Sequence, residues 1–228
     1  MYVVLWDVGG TLAERVVDDG ESVRRALDRL GLDGAALPDE RLEQARALFQ
    51  LEEPGWRTPE LERAGYERIA AVVLGPAATP QLVHRLADEL ARYPADYQLT
   101  PGIRELIAEL AAAGCRQAVV SNWPPSLRNF LRWHGLYPFF ETVVVSGEEG
   151  IVKPDPEIFR RALARLGIAP ADAVYVGNDP ATDIAPCRQL GIATVHFDPG
   201  NRFTGAEART AAALRRLLRE RFGLPLRP

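Results

Sequence analysis

Between Thr100 and Phe197 short apolar runs alternate with amphipathic stretches, and this alternation restricts the chain to very few architectures. Gln117–Val120, Thr142–Val145, Ala173–Val176 and Ala193–Phe197 read as strands, while 101–113, 125–134, 155–166 and 182–190 carry helical periodicity. Strands separated by helices predict a parallel sheet with helices on both faces. Pro101-Gly102 opens the first of these helices and Gly114 closes it, the asymmetry expected of helix ends. Ahead of this region, Tyr2–Trp6 is a further β-rich apolar run, ended by Asp7 and Gly9-Gly10, and reads as a buried strand entering a turn. It is expected to join the later sheet. Residues 16 to about 93 are different: four helices are predicted, at roughly 20–30, 38–50, 58–73 and 79–92, punctuated by Gly31, Pro54-Gly55 and Gly75-Pro76. No strand is expected there. The tail from about Ala206 to Phe222 reads as a last amphipathic helix. The predicted fold is therefore α/β: a doubly wound, Rossmann-like parallel sheet core (1–14 and 97–228) with an inserted all-helical cap subdomain (15–96). In such sheets ligands gather at the carboxyl ends of the strands.

Four segments with chemical potential fall at those ends. Asp7 follows the first strand, Ser121-Asn122 follows Val119-Val120, Lys153 lies after Thr142–Val145, and Gly177-Asn178-Asp179-Pro180-Ala181-Thr182-Asp183 follows Val174–Val176. Lys153 is distinctive in another way. Of 27 basic residues, it is the single lysine and every other one is arginine. A compact ammonium on a flexible stem reaches into a crowded pocket where a planar guanidinium fork does not. Taken singly, each segment has a bland reading: Asp7 as an Asx-turn, Ser121 as a helix cap, Asp179 and Asp183 as helix N-terminal acids. Their joint occurrence at one sheet edge is the informative observation.

Asp7-Val8-Gly9-Gly10-Thr11-Leu12, Val120-Ser121-Asn122, Gly150-Ile151-Val152-Lys153-Pro154-Asp155-Pro156 and Gly177 through Asp183, in this order, resemble the haloacid dehalogenase-like hydrolase superfamily, in its branch with a helical cap inserted after the first motif. The resemblance implies phosphoryl transfer. Asp7 would be the nucleophile, forming an aspartyl-phosphate. Lys153 would orient it and offset charge, and Ser121 would bind a phosphoryl oxygen, with Gly10, Thr11 and Asn122 completing the phosphate site. Asp7, the Gly9 carbonyl, Asn178, Asp179 and Asp183 are the implied set for Mg²⁺, a cation that prefers hard oxygens and keeps several waters. Asn178 and Asp179 compete for one of those positions, and Asp183 suits the role of holding metal-bound water. The implied partner is a small phosphorylated molecule. The implied cap would close over the sheet edge, with hinges near Ala13–Val17 and Pro94–Thr100.

Two positions depart from the family pattern. The phosphatases usually carry a second aspartate two residues after the nucleophile, a general acid/base of the kind worth about 10²–10⁴-fold. Here that residue is Gly9, which keeps a backbone carbonyl for metal but offers no proton. The position after Gly177 is usually aspartate; Asn178 coordinates without charge, so weaker Mg²⁺ binding is expected. Three functions remain open: a phosphohydrolase whose leaving group needs no proton, or which draws one from a cap-edge residue such as Glu14, Asp18, Asp19 or Glu53; a catalytically weak or inactive binder; and a metal-free dehalogenase-like hydrolase, for which Arg57 beside Trp56 is only a loose match to the cap arginine. Phosphonate-cleaving relatives use a cap lysine, and this cap has none.

The remaining features narrow the setting. A net charge of −4 shows no basic surplus for nucleic acid. The N-terminal apolar run is too short for a signal peptide, no stretch approaches a membrane span, and Cys115 and Cys187 lie in no ligand-like cluster. A cytoplasmic monomer or homodimer with reduced thiols is expected. Trp123 is a candidate pocket wall and Trp6 a core residue. His84, His134 and His196 lack a second ligand at metal spacing and are expected to be structural. Glu148-Glu149 reads as a solvated turn, and Arg215, Arg216, Arg219 and Arg221 as a solvated helix face.

Overall fold

The computed structural model describes residues 2–92 and 96–227. Five parallel strands form one sheet: β1 (Val3–Trp6), β4 (Gln117–Ser121), β5 (Thr142–Val145), β6 (Ala173–Gly177) and β7 (Ala193–His196). Their spatial order is β5-β4-β1-β6-β7, which places the first strand in the centre. Trp6 pairs in register with Val119 on one side and Val176 on the other, so β1, β4 and β6 end at nearly the same level. The chain leaves the centre in one direction through β4 and β5, then returns to β6 and β7. This reversal beside β1 is the switch point at which a crevice opens in such sheets.

Alternation along the strands sorts the two faces. Val3, Leu5, Val120, Val144 and Tyr175 bury against Ile158 and Phe159 of α8 (Pro156–Leu166) and Cys187 of α9 (Ala185–Gln189). On the opposite face Gln117 accepts from Trp6 Nε1 (3.0 Å) and donates to the carbonyl of Ile107 (2.9 Å). That links the sheet to α5 (Ile103–Ala112), on which α10 (Ala211–Phe222) packs. A sheet buried on both faces requires near-continuous apolar strands, and these strands are of that kind.

Contacts divide the chain into two units, 1–14 with 98–123 and 127–228, and 15–97 with 124–126. The second unit is helical: α1 (Asp19–Arg29), α2 (Asp39–Glu52), α3 (Pro59–Leu74) and α4 (Pro80–Leu90). Thr58-Pro59 and Thr79-Pro80 begin α3 and α4 in the same way. The threonine hydroxyl accepts from the third amide of the helix, and proline takes the position whose N–H would be unpaired. The core of this unit centres on Trp56, 2% exposed, whose ring fills the space beside Gly65 and meets Phe49 edge-on and Tyr66 at a tilt. Two short strands, β2 (Ala13–Arg15) and β3 (Tyr97–Leu99), pair where the chain passes from one unit to the other. Of the expected hinge at Pro94–Thr100, Pro94 and Ala95 lie outside the described residues.

Local differences from the sequence expectations have physical causes. The helix expected at 182–190 is split: Pro180–Ile184 is a wide turn, and α9 starts only at Ala185. Pro186 lacks the N–H that a continuous helix would use. The tail helix begins at Ala211, not Ala206, because Glu207 and Ala208 donate backbone hydrogen bonds to the His196 carbonyl. Glu148 and Glu149 are not a solvated turn. They belong to α7 (Ser146–Glu149), where Glu148 pairs with Arg128 and Glu149 with Arg161 and Arg165. The C-terminal arginines are only partly a solvated face: Arg215 pairs with Glu109 and Arg221 with Glu207. Among the described residues no helix is long and apolar enough to cross a membrane.

Candidate active site

Asp7 is the first residue beyond β1, and its backbone N–H still donates to the Val176 carbonyl (3.0 Å). The next strand residue would have continued the ladder; Gly9-Gly10 turns the chain away instead, leaving the Asp7 carboxylate at the sheet edge, 4% exposed. Three donors converge on it. Ser121 Oγ donates to Oδ1 (2.9 Å) and Lys153 Nζ to the same oxygen (2.7 Å). The Thr11 hydroxyl lies between Asp7 Oδ2 (3.1 Å) and Asn178 Oδ1 (3.2 Å), so its single proton serves one or the other. A buried carboxylate without such partners would be strongly disfavoured.

Lys153 is held from every side. Its ammonium donates to Asp183 Oδ1 (2.6 Å) and to the Tyr175 hydroxyl (3.1 Å) as well as to Asp7. The Tyr175 hydroxyl in turn donates to the Val120 carbonyl (2.9 Å). Burial alone would push the lysine pKa down, but the Asp183 and Asp7 charges outweigh it and hold the ammonium above the usual lysine range. Burial raises the Asp183 carboxyl above its ordinary value; Lys153 opposes this and the Asp7 charge adds to it. Asn122, expected at the phosphate site, borders the cleft and also holds the lysine loop. Its Oδ1 accepts from the Lys153 backbone N–H (2.8 Å) and its Nδ2 donates to the Lys153 carbonyl (3.0 Å), so both ends of the amide clamp the lysine loop.

The structure also redistributes the expected acidic roles. Asp183 accepts from the lysine on Oδ1 and from the Asp179 N–H on Oδ2 (3.0 Å). Asp179 caps the following turn: its Oδ1 accepts from the N–H groups of Ala181 (2.7 Å) and Thr182 (3.2 Å). Asn178, 6% exposed, is the residue of the pair whose side chain faces Thr11. Its carbonyl accepts from His196 Nε2 (2.8 Å), so that ring nitrogen carries the proton. Gly10 has φ +81°, and a Cβ there would stand 2.6 Å from Asn178 Nδ2 and within 2.4 Å of Arg202 Nη1. This glycine lets the loop approach Asn178; it does not line the cleft itself. A Cβ on Gly9 would meet the Trp123 ring at 3.3 Å.

Together Asp7, Gly9, Ser121, Lys153, Asn178 and Asp183 border a cleft of about 170 Å³. Among the described residues no three acidic, histidine or cysteine side chains gather closely enough to hold a metal by themselves. The cleft does border on hard oxygens: the Asp7 carboxylate, the Gly9 backbone and the Asn178 amide. That chemistry fits Mg²⁺, which is typically held by one or two carboxylates, substrate phosphate and water.

Residues 1–191 match the family described as haloacid dehalogenase-like hydrolases. The chain belongs to that family. It is a hydrolase by membership, and its core has the family's parallel sheet. It is 36% identical over 154 residues to the phosphoserine phosphatase of Thermus thermophilus, a match covering 67% of this chain and 60% of that protein. Among solved structures it resembles a HAD phosphatase from Thermococcus onnurineus (TM-score 0.66, 23% identity, 96% of this chain and 98% of the other). It equally resembles a 2-haloacid dehalogenase from Pseudomonas syringae (TM-score 0.70, 23% identity, 96% and 98%). Fold likeness therefore does not choose between bonds cleaved; the site residues must.

Other candidates from the sequence fall elsewhere. Glu14 pairs with Arg202, and burial raises its carboxyl above the usual range. Asp18 caps α1, the Asp19 side chain lies outside the description, and burial raises Glu53 within the helical unit. Trp56 is core of that unit, whereas Arg57 is exposed. His84 pairs with Glu67 at the surface, and His134 stacks on Phe130. Two contributors escaped the sequence reading. Tyr175 reads as an ordinary β-former inside a buried strand, and His196 as a strand-end core residue. Nothing local to either reveals its partner, which comes from another strand end.

Proposed function

We propose that this hydrolase transfers the phosphoryl group of a small phosphorylated molecule to Asp7. The observation that carries the reading is the convergence of Lys153 and Ser121 on one oxygen of a buried Asp7 at the switch point of the sheet. A carboxylate so held is fixed in orientation before substrate arrives, which removes a large entropic part of the barrier. The ammonium and hydroxyl beside it supply charge and hydrogen bonds to equatorial phosphoryl oxygens as they gain charge. Asp183 and Tyr175 keep the ammonium in place, and Asn122 fixes the loop that carries it. Asp7, the Gly9 carbonyl and Asn178 would hold Mg²⁺, which would neutralise the repulsion between the carboxylate and the incoming dianion. The phosphoserine phosphatase named above supports phosphate as the group transferred.

A second reading, a phosphate-binding protein without turnover, is favoured by one observation: position 9 carries no acid and faces the Trp123 ring. One assay separates the two. Phosphate release with Mg²⁺, measured for wild type and Asp7→Asn, is expected to be present in the first and abolished in the second. Equal rates would end the Asp7 mechanism, and phosphate binding with neither release nor phosphorylation of Asp7 would establish the binder.

A further inference from the structure

Among the described residues that line this cleft, the titratable side chains are Asp7, Lys153, Asp179 and Asp183. Asp7 accepts from Ser121 and Lys153, and Asp183 accepts from Lys153 on one oxygen and from the Asp179 N–H on the other. Asp179 accepts two backbone N–H groups. Each carboxylate thus has at least one oxygen occupied as a hydrogen-bond acceptor. The ammonium of Lys153 has its hydrogens directed at Asp7, Asp183 and Tyr175. Ser121 is committed to Asp7. At the remaining edge, where residue 9 would place a side chain, the indole of Trp123 stands 3.3 Å from the Cβ position and is itself 4% exposed. The absence of an acid there is accompanied by an apolar wall packed against the vacant position.

An alkoxide leaving group has a conjugate acid near that of bulk water, about 16, and needs a proton in the transition state. A carboxylate leaving group, with a conjugate acid near about 4, needs none. Resting on the phosphoryl-transfer reading above, we infer that the substrates of this site are acyl phosphates, mixed anhydrides of a carboxylic acid and phosphate. An Asp7 oxygen attacks phosphorus, and the bond between phosphorus and the acyl oxygen breaks. The bonding pair leaves with R–COO⁻, and no proton moves. The product on the protein is itself a mixed anhydride, so one acyl phosphate is exchanged for another. Gly9 offers no base to the water that attacks phospho-Asp7, so the covalent form is expected to accumulate.

The test uses the full chain with Mg²⁺ and two probes, acetyl phosphate and glycerol 2-phosphate, with intact-mass and peptide mass spectrometry as the readout. Acetyl phosphate is expected to add one phosphoryl group, on Asp7 and absent from Asp7→Asn, at least about 10²-fold faster than the alkyl ester, the lower range of what general acid catalysis supplies. If the alkyl ester phosphorylates Asp7, or releases phosphate, at a comparable rate, the acyl-phosphate inference is overturned while transfer to Asp7 stands. If neither probe labels Asp7 or releases phosphate, the phosphoryl-transfer reading falls and the inference with it.

Discussion

Replacing Lys153 by Arg, the residue used at the other 26 basic positions, should damage this protein although the charge is kept. The lysine side chain is 4% exposed and its Nζ lies 2.7 Å from Asp7 Oδ1 and 2.6 Å from Asp183 Oδ1. A guanidinium is wider and carries its donors in a rigid plane, so it cannot meet both carboxylates and Tyr175 without displacing one. Overpacking of this kind costs about 1–3 kcal/mol. Lys153→Met removes the charge instead and leaves two buried carboxylates together. Breaking a buried pair in this way costs about 3–5 kcal/mol, or a fall in Tm of roughly 6–20 °C for a chain of this size. The pH dependence has a definite sign. The lysine pKa is raised in the fold, so the stabilisation is complete below the ordinary value of 10.5 and is lost only as pH rises through the higher folded value. Wild type should therefore show no loss from this pair between about pH 6 and 9. The Met variant should recover part of its deficit on acidification, because burial and the Asp7 charge already favour the protonated form of Asp183. Calorimetry of the three proteins across this pH range is the assay. An Arg variant within about 0.5 kcal/mol of wild type, or a Met variant whose deficit does not shrink on acidification, would refute the reasoning.

Three further outcomes follow from other parts of the structure. Gly10→Ala, at φ +81° and against Asn178, should cost at least about 1–2 kcal/mol and weaken phosphate release, and unchanged values in both calorimetry and a phosphate assay would show that the loop does not need this glycine. Gly9→Asp alone should gain little activity on alkyl phosphates because its Cβ meets the Trp123 ring. Gly9→Asp with Trp123→Leu should gain more, toward the roughly 10²–10⁴-fold of a general acid, and equal rates for the two variants would remove Trp123 from the account. In the helical unit, Glu62 accepts from the Ser126 N–H (2.8 Å), but its Oε1 is buried without a hydrogen-bond partner, and burial raises its pKa from the ordinary 4.5. Its contribution is thus present below pH 4.5 and lost as pH rises through the folded value. Glu62→Gln should therefore raise Tm at about pH 8 and change it little near about pH 4; equal shifts at both values would place the cost in packing.

The sequence exposed those parts of the fold that rest on local pattern. Apolar runs of four or five residues announced each strand of the sheet, and glycine and proline marked helix ends within a few residues. Strand order was not legible in the same way. Nothing in Val3–Trp6 says that it lies between β4 and β6; that follows from which crossover returns to which side. The two short strands β2 and β3 were missed because three residues carry no period.

At the site, chemistry was legible by residue type, but the division of labour was not. Asp7, Ser121 and Lys153 meet as their positions at strand ends suggested. The acidic loop shows the limit. Asp179 has the charge that a metal ligand would want, yet it follows Asn178 by one residue, and its carboxylate is captured by the first free N–H groups of the next turn. Those amides have no other acceptor, so capping competes for any carboxylate placed there. Asp183, four residues on, comes back beneath the loop and meets the ammonium. A turn of backbone hydrogen bonding thus decides which oxygen faces the cleft, leaving the uncharged Asn178 beside Asp7. On the phosphoryl-transfer reading proposed above, an uncharged Asn178 and an acid-free position 9 would have the same consequence: the substrate would bring the negative oxygens that complete a Mg²⁺ site and a leaving group that departs unaided.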